Sequence, residues 1–180
     1  MTHSHDAGAT PQAKHPKTAL AGPYGHPFHP LMVTLPIGAW VASVVFDIVA
    51  LANSEKEDVF AEGAYWLIGI GVIGAVLAAL FGVMDLLTIP RGTPAFRTGL
   101  THMALNLTVV VLFVVGFAVR AGQGYEEASV PGFVLSLIAL ALLGVSGGLG
   151  GKLAYRYGVR VATEETQSEG FQRSQPPTPR

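Results

Sequence analysis

The chain has 180 residues, of which half are hydrophobic and only 13% charged, with a net charge of −1 and no cysteine. A mean hydropathy of +0.45 sets it apart from an average soluble domain and places it among membrane proteins. The near-neutral charge, without a long basic run, excludes a nucleic-acid partner. The lack of cysteine excludes disulfides, thiolate metal sites, c-type haem attachment and cysteine-ligated iron–sulfur clusters.

Residues 1–24 are polar and proline-containing, and they carry His3, His5 and His15. They read as a solvated, disordered tail rather than a secretory signal, because no small-residue cleavage site follows a short apolar stretch. A four-span transmembrane domain follows over 25–157. Its apolar blocks run from Leu31 to Ala52, Ala64 to Ile89, Met103 to Val119 and Phe133 to Gly151. At 1.5 Å rise per residue each block crosses a hydrocarbon core about 30 Å thick. Pro36 lies one turn inside the first span and removes a backbone donor, which predicts a local opening there. From 158 to 180 the composition turns polar and ends in Gln175-Pro176-Pro177-Thr178-Pro179, the signature of a second disordered tail.

The fold class expected is therefore all-α, an integral membrane four-helix bundle. Basic residues in short loops stay on the cytoplasmic side. Lys14, Lys17, Arg91, Arg97, Lys152, Arg156, Arg160, Arg173 and Arg180 share one side, and only Lys56 and Arg120 fall on the other. Both termini are thus expected in the cytoplasm, with the chain in the inner (plasma) membrane. Small residues recur at helical spacing as Gly74, Ala78 and Gly82 on the second span, and as Gly144/Gly148 and Gly147/Gly151 on the fourth. They predict close helix crossings, within one chain or between two copies. Each hairpin opens with a histidine before an apolar run, His29 and His102. That pattern is open to a parallel duplication, whose pseudo-twofold axis would bring both histidines to the bundle centre.

Chemistry in such a chain concentrates in polar residues that the bilayer should exclude. His26 and His29 precede the first span, Asp85 lies near the end of the second, and His102 and Asn106 open the third, four residues apart on one helical face. All five reach the cytoplasmic side. An aspartate inside a span needs a partner, and His102 or Arg91 is available to Asp85. Asp47 sits near the outer end of the first span, in place to pair with Arg120. Two cofactor readings follow. His26, His29, Asp85 and His102 suit a divalent metal ion by ligand type, and His29 with His102 suit the two axial positions of a haem b. A proton or ion pathway through Asp85, His102 and Asn106 is disfavoured by the apolar runs beyond them. No His-Glu-x-x-His motif argues for an enzyme. A ligand-free polar joint in a scaffold subunit explains the same residues.

The ordered elements His26-Pro27-Phe28-His29-Pro30 with Leu31, Val33 and Pro36, then Gly82 and Asp85, then His102 and Asn106, resemble the bacterial membrane family called domain of unknown function 2231. The resemblance spans Gly25 to Tyr157. It implies the four-span architecture, and relatives fused to redox domains, Rieske-type ones among them, imply electron transfer. The reading at this point is a redox-associated accessory module that binds haem or metal. Its expected partners are the lipid bilayer and either a redox protein or a second copy.

Overall fold

A computed structural model of the chain describes residues 9–171. The expectations of disorder for 1–8 and 172–180, and the positions of His3 and His5, lie outside the described residues. Seven α-helices are present among them: α1 (Ala9–Lys14), α2 (Phe28–Met32), α3 (Thr34–Ala52), α4 (Glu57–Leu86), α5 (Pro94–Gln123), α6 (Val130–Gly151) and α7 (Glu164–Ser168). Four helical stretches are long and apolar enough to cross a bilayer: Phe28–Ala52, Glu57–Leu86, Pro94–Gln123 and Val130–Arg156. With no strand among the described residues, the fold is the all-helical four-span bundle the composition predicts.

The helices outrun the apolar blocks because polar residues start and extend them. Thr93 Oγ1 accepts from the Phe96 N–H, and Pro94 occupies the first turn, where its missing N–H costs nothing. Span three therefore begins nine residues before Met103. Ser129 caps α6 in the same way through the Gly132 N–H. Glu57 and Asp58 stand in the first turn of α4, where the positive end of the helix dipole favours them. The first span is broken at Val33, between α2 and α3. The cause is Pro36, which has no N–H to give the Met32 carbonyl one turn back. At the other end, α6 runs into a π-helical turn over Lys152–Arg156.

The core lies at mid-depth, where the Trp40 and Phe113 rings stack with centroids 4.1 Å apart and planes 10° apart. The Trp40 Nε1–H donates to the Ile68 carbonyl at 3.4 Å, and Ile68, Val109 and Ala139 close around the pair. Gly71 permits this, since a β-carbon there would fall on the indole. The two small-residue stripes behave differently. Gly74 and Ala78 are buried, and a β-carbon at Gly74 would meet Leu35 and Pro36 at 3.0–3.1 Å, so the second-span stripe is used inside the chain. Gly144, Gly147 and Gly148 have nothing within 4 Å of a β-carbon.

The buried positions repeat. Pro36, Trp40, Ser43 and Asp47 of α3 correspond, at a constant offset of 73, to Val109, Phe113, Gly116 and Arg120 of α5, and all eight are buried. Ala64, Ile68, Gly71 and Ala78 of α4 correspond at one offset to Gly132, Ser136, Ala139 and Ser146 of α6, again all buried. Two parallel hairpins related by a pseudo-twofold axis account for this register, although few of the paired residues are identical. The axis passes between Trp40 and Phe113.

The flanks correct the sequence reading. Residues 9–24 and 158–171 were expected in disordered tails, yet α1, a 3-10 turn over Ala19–Ala21 and α7 lie within them. Ala13 and Val159 are buried against Ile89, with Leu86, Phe96 and Tyr157 packed around them. The Arg160 N–H donates to the Ala13 carbonyl at 2.9 Å. Both flanks therefore cover the same end of the bundle. It is the end with most of the cations, called here the basic end. Polar composition misled because these segments use backbone and charge contacts rather than a large apolar core.

Candidate functional site

Two buried polar centres occupy opposite ends of the bundle. At the acidic end the Arg120 Nη2–H donates to Asp47 Oδ2 at 2.6 Å, with both side chains nearly inaccessible. Arg120 also donates to the Gly116 carbonyl at 3.2 Å and to Ser136 Oγ at 3.3 Å. The pairing suggested by the sequence is present, and it joins symmetry-equivalent positions of the two hairpins.

At the basic end the pseudo-twofold axis brings His29 and His102 together. Their ring centroids are 6.3 Å apart and their planes 89° apart. The supports match as well. His29 Nδ1 lies 2.9 Å from the Ala78 carbonyl, and His102 Nδ1 lies 2.8 Å from the carbonyl of Ser146, the equivalent of Ala78. A carbonyl can only accept, so each ring carries a proton on Nδ1, and a neutral ring then keeps its lone pair on Nε2. Each ring rests on a glycine one turn further along. A β-carbon would lie 3.0 Å from His29 Cε1 at Gly82 and 3.2 Å from His102 Cε1 at Gly150.

The surroundings of the two rings differ. Asn106 Nδ2 sits 3.2 Å from His102 Nε2, 2.9 Å from the His102 carbonyl and 2.8 Å from Ser146 Oγ, so His102 is held on every polar edge. His29 has only the Ala78 carbonyl as a hydrogen-bond partner among the described residues. Asp85 is one turn beyond Gly82 on the face that carries Ala78, by helical spacing. Its partner is neither His102 nor Arg91. Arg160, from the flank read as disordered, places Nε 2.7 Å from Asp85 Oδ1. The contact is an ion pair without hydrogen-bond alignment, and both atoms, with Arg160 Nη1, are buried and lack a directed hydrogen bond among the described residues.

The four-residue metal set is not assembled. Among the described residues no three His, Asp or Glu side chains converge to hold a metal ion. His26 is exposed and turned to its neighbour, with Nδ1 3.4 Å from the Tyr24 carbonyl, and Asp85 is committed to Arg160. His15 stacks on Tyr24 at 4.4 Å. Tyr24, outside the spans, has its phenol held below the ordinary value by the Thr163 and Thr166 hydroxyls and the Thr163 N–H beside its oxygen.

What remains is a pair of imidazoles. Two imidazole nitrogens each about 2 Å from one metal ion place their ring centroids roughly 6 Å apart, close to the spacing present. Nδ1–H donation to a carbonyl is also how proteins commonly orient a metal-ligating histidine. The sequence profile of a family described as a predicted membrane protein, DUF2231, matches residues 25–163. The chain belongs to this family. The match takes in both histidines of the pair, Asp85, Asn106 and, at its far edge, Arg160. No curated protein and no solved structure matches the chain.

Proposed function

We propose that this membrane protein is a redox-associated accessory module whose ligand-binding centre is the His29–His102 pair, placed on the cytoplasmic side of the inner membrane. The observation that carries the reading is the paired geometry itself: two symmetry-equivalent imidazoles, each anchored through Nδ1, at a separation suited to one metal ion between them. A haem b suits two ligands, since its macrocycle supplies the other four positions. His29 and His102 would hold it through Nε2, with Gly82 and Gly150 leaving room for the rings. When bound, the group would supply one-electron chemistry.

The other two histidines among the described residues, His15 and His26, are exposed and form no second pair. Electrons would therefore be received and returned on one side, through a partner protein. The excess of cations at the basic end supports the cytoplasmic assignment.

A second reading has its own observation. Asn106 Nδ2 already meets His102 Nε2, as it would in a ligand-free polar joint that ties α5 to α6 through Ser146. The visible spectrum of detergent-purified protein from its native host, with metal analysis, separates the two. The proposal expects a Soret band at about one haem per chain, abolished by His29→Ala and by His102→Ala. A colourless, iron-free protein that unfolds more easily in both variants would establish the joint and sink the redox reading.

A further inference from the structure

The flanks carry a feature that neither a four-span scaffold nor a paired-imidazole centre requires. Arg160 has φ +60°, in the left-handed region that a side chain with a β-carbon adopts only where surrounding contacts over-determine it. Those contacts are on hand. Its N–H donates to the Ala13 carbonyl, its Nη2 donates to the Ala21 and Gly22 carbonyls at 2.9 and 3.0 Å, and its Nε meets Asp85. One buried residue thus ties together the N-terminal flank, the C-terminal flank and the end of α4.

The flanks also hold each other. Lys14 Nζ lies 3.4 Å from the Val161 and Ala162 carbonyls. The Thr163 N–H donates to Tyr24 Oη at 2.8 Å, and the Tyr24 hydroxyl donates to Thr163 Oγ1 at 3.3 Å. Their attachment to the bundle is narrower. It rests on the Asp85 ion pair, the small apolar cluster around Ala13, Ile89 and Val159, the packing of the Ala19–Ala21 turn with buried Ala21 on α4, and the Val159 N–H on the Leu153 carbonyl. Such a segment, with few buried apolar contacts and many backbone contacts near the surface, belongs to the low-stability end of a fold.

Its position relative to the histidine pair gives the latch a purpose. Gly22 is folded tightly against the chain just ahead of His29, since φ is +91° and a β-carbon would lie 2.8 Å from the Phe28 nitrogen. By holding the Ala21 and Gly22 carbonyls, Arg160 fixes the segment that leads directly into His29. By holding Asp85 it fixes the face of α4 on which the His29 ring rests. We propose that the two flanks form a detachable cap, latched by Arg160 to Asp85, that controls access from the aqueous side to His29. The proposal rests on reading the histidine pair as a site, but the cap exists whether or not a cofactor binds.

The test uses the full chain in detergent micelles without added cofactor, so the cap and the haem reading fail separately. The absence of cysteine makes Val159→Cys a clean reporter of opening, because Val159 is 8% exposed in the closed cap. Thiol labelling of V159C should be slow. Adding Arg160→Gln should speed it on the order of tenfold, and Asp85→Asn by less, since it leaves the carbonyl contacts in place. In parallel, carbethoxylation read by mass spectrometry should modify exposed His26 readily and His29 slowly in the parent. Arg160→Gln should bring His29 towards the His26 rate while Trp40 fluorescence, a reporter of the distant core, stays unchanged. Equal labelling in parent, Arg160→Gln and Asp85→Asn would overturn the latch. Faster V159C labelling with His29 still protected would overturn the control of access. Should Arg160→Gln lose the Trp40 signal, Asp85→Asn decides on the same two readouts.

Discussion

Each end of the bundle buries one carboxylate against one guanidinium, and the two pairs are built in opposite ways. At the acidic end, Asp47 and Arg120 occupy symmetry-equivalent positions on α3 and α5, and Gly116 and Ser136 satisfy further donors. At the basic end, the cation comes from outside the repeated hairpins, sits in a strained backbone conformation and leaves Nη1 without a hydrogen bond among the described residues. The difference separates a joint from a latch. A pair that holds the two halves of a bundle together has no reason to open, whereas one that holds a flank to the bundle can be released without disturbing the core.

The largest effect should come from breaking the joint. Asp47→Ala or Arg120→Ala leaves an uncompensated buried charge and should cost about 3–5 kcal/mol, read as a large loss of thermal stability in detergent. The exchange D47R with R120D should recover much of it, since the two sites are related by the axis. A single variant as stable as the parent would remove the distinction between the ends. Next in size is Asp85→Asn, expected at about 1–3 kcal/mol because Arg160 keeps two carbonyl acceptors. A cost as large as that of Asp47→Ala would make the latch a second joint.

The contrast extends to the glycine stripes. Gly82→Ala brings a methyl group to 3.0 Å from His29 Cε1, so the ring must shift by a few tenths of an ångström, at a cost of about 1 kcal/mol. The smallest effect should be that of Gly144→Ala, where nothing lies within 4 Å. Thermal unfolding should move by no more than about 0.5 kcal/mol. A larger loss at Gly144 would mean that this face packs against something beyond one chain.

The same contrast marks what the sequence could reveal. The four spans were legible because each is a nearly unbroken apolar run, and the break at Val33 because Pro36 lacks a donor one turn on. Asp47–Arg120 was legible too, since the acidic end offers few cations. Arg160 was not. It lies in a segment whose polar composition reads as solvated tail, and its burial depends on a left-handed backbone that no local pattern announces. The histidines were recognisable as candidates, but their anchors are backbone carbonyls, which are available at every residue and so leave no signature. His26 was misplaced for the opposite reason, since its nearness in sequence to His29 suggested a convergence that the Tyr24 carbonyl and the turn prevent. The internal repeat has little sequence identity, but the register of buried positions shows it, and that register needs the structure to be seen.

The central claim is that His29 and His102 occupy equivalent positions and are both held by Nδ1–H on a backbone carbonyl, with Nε2 unprotonated. Nitrogen-15 NMR of histidine-labelled protein in bilayers tests it directly, with signals assigned by their loss in His29→Asn and His102→Asn. The account predicts the proton on Nδ1 in both rings, and an Nε2 resonance on His102 shifted by Asn106→Ala. A proton on Nε2 in either ring, with Nδ1 free, would contradict the anchoring and with it the paired site.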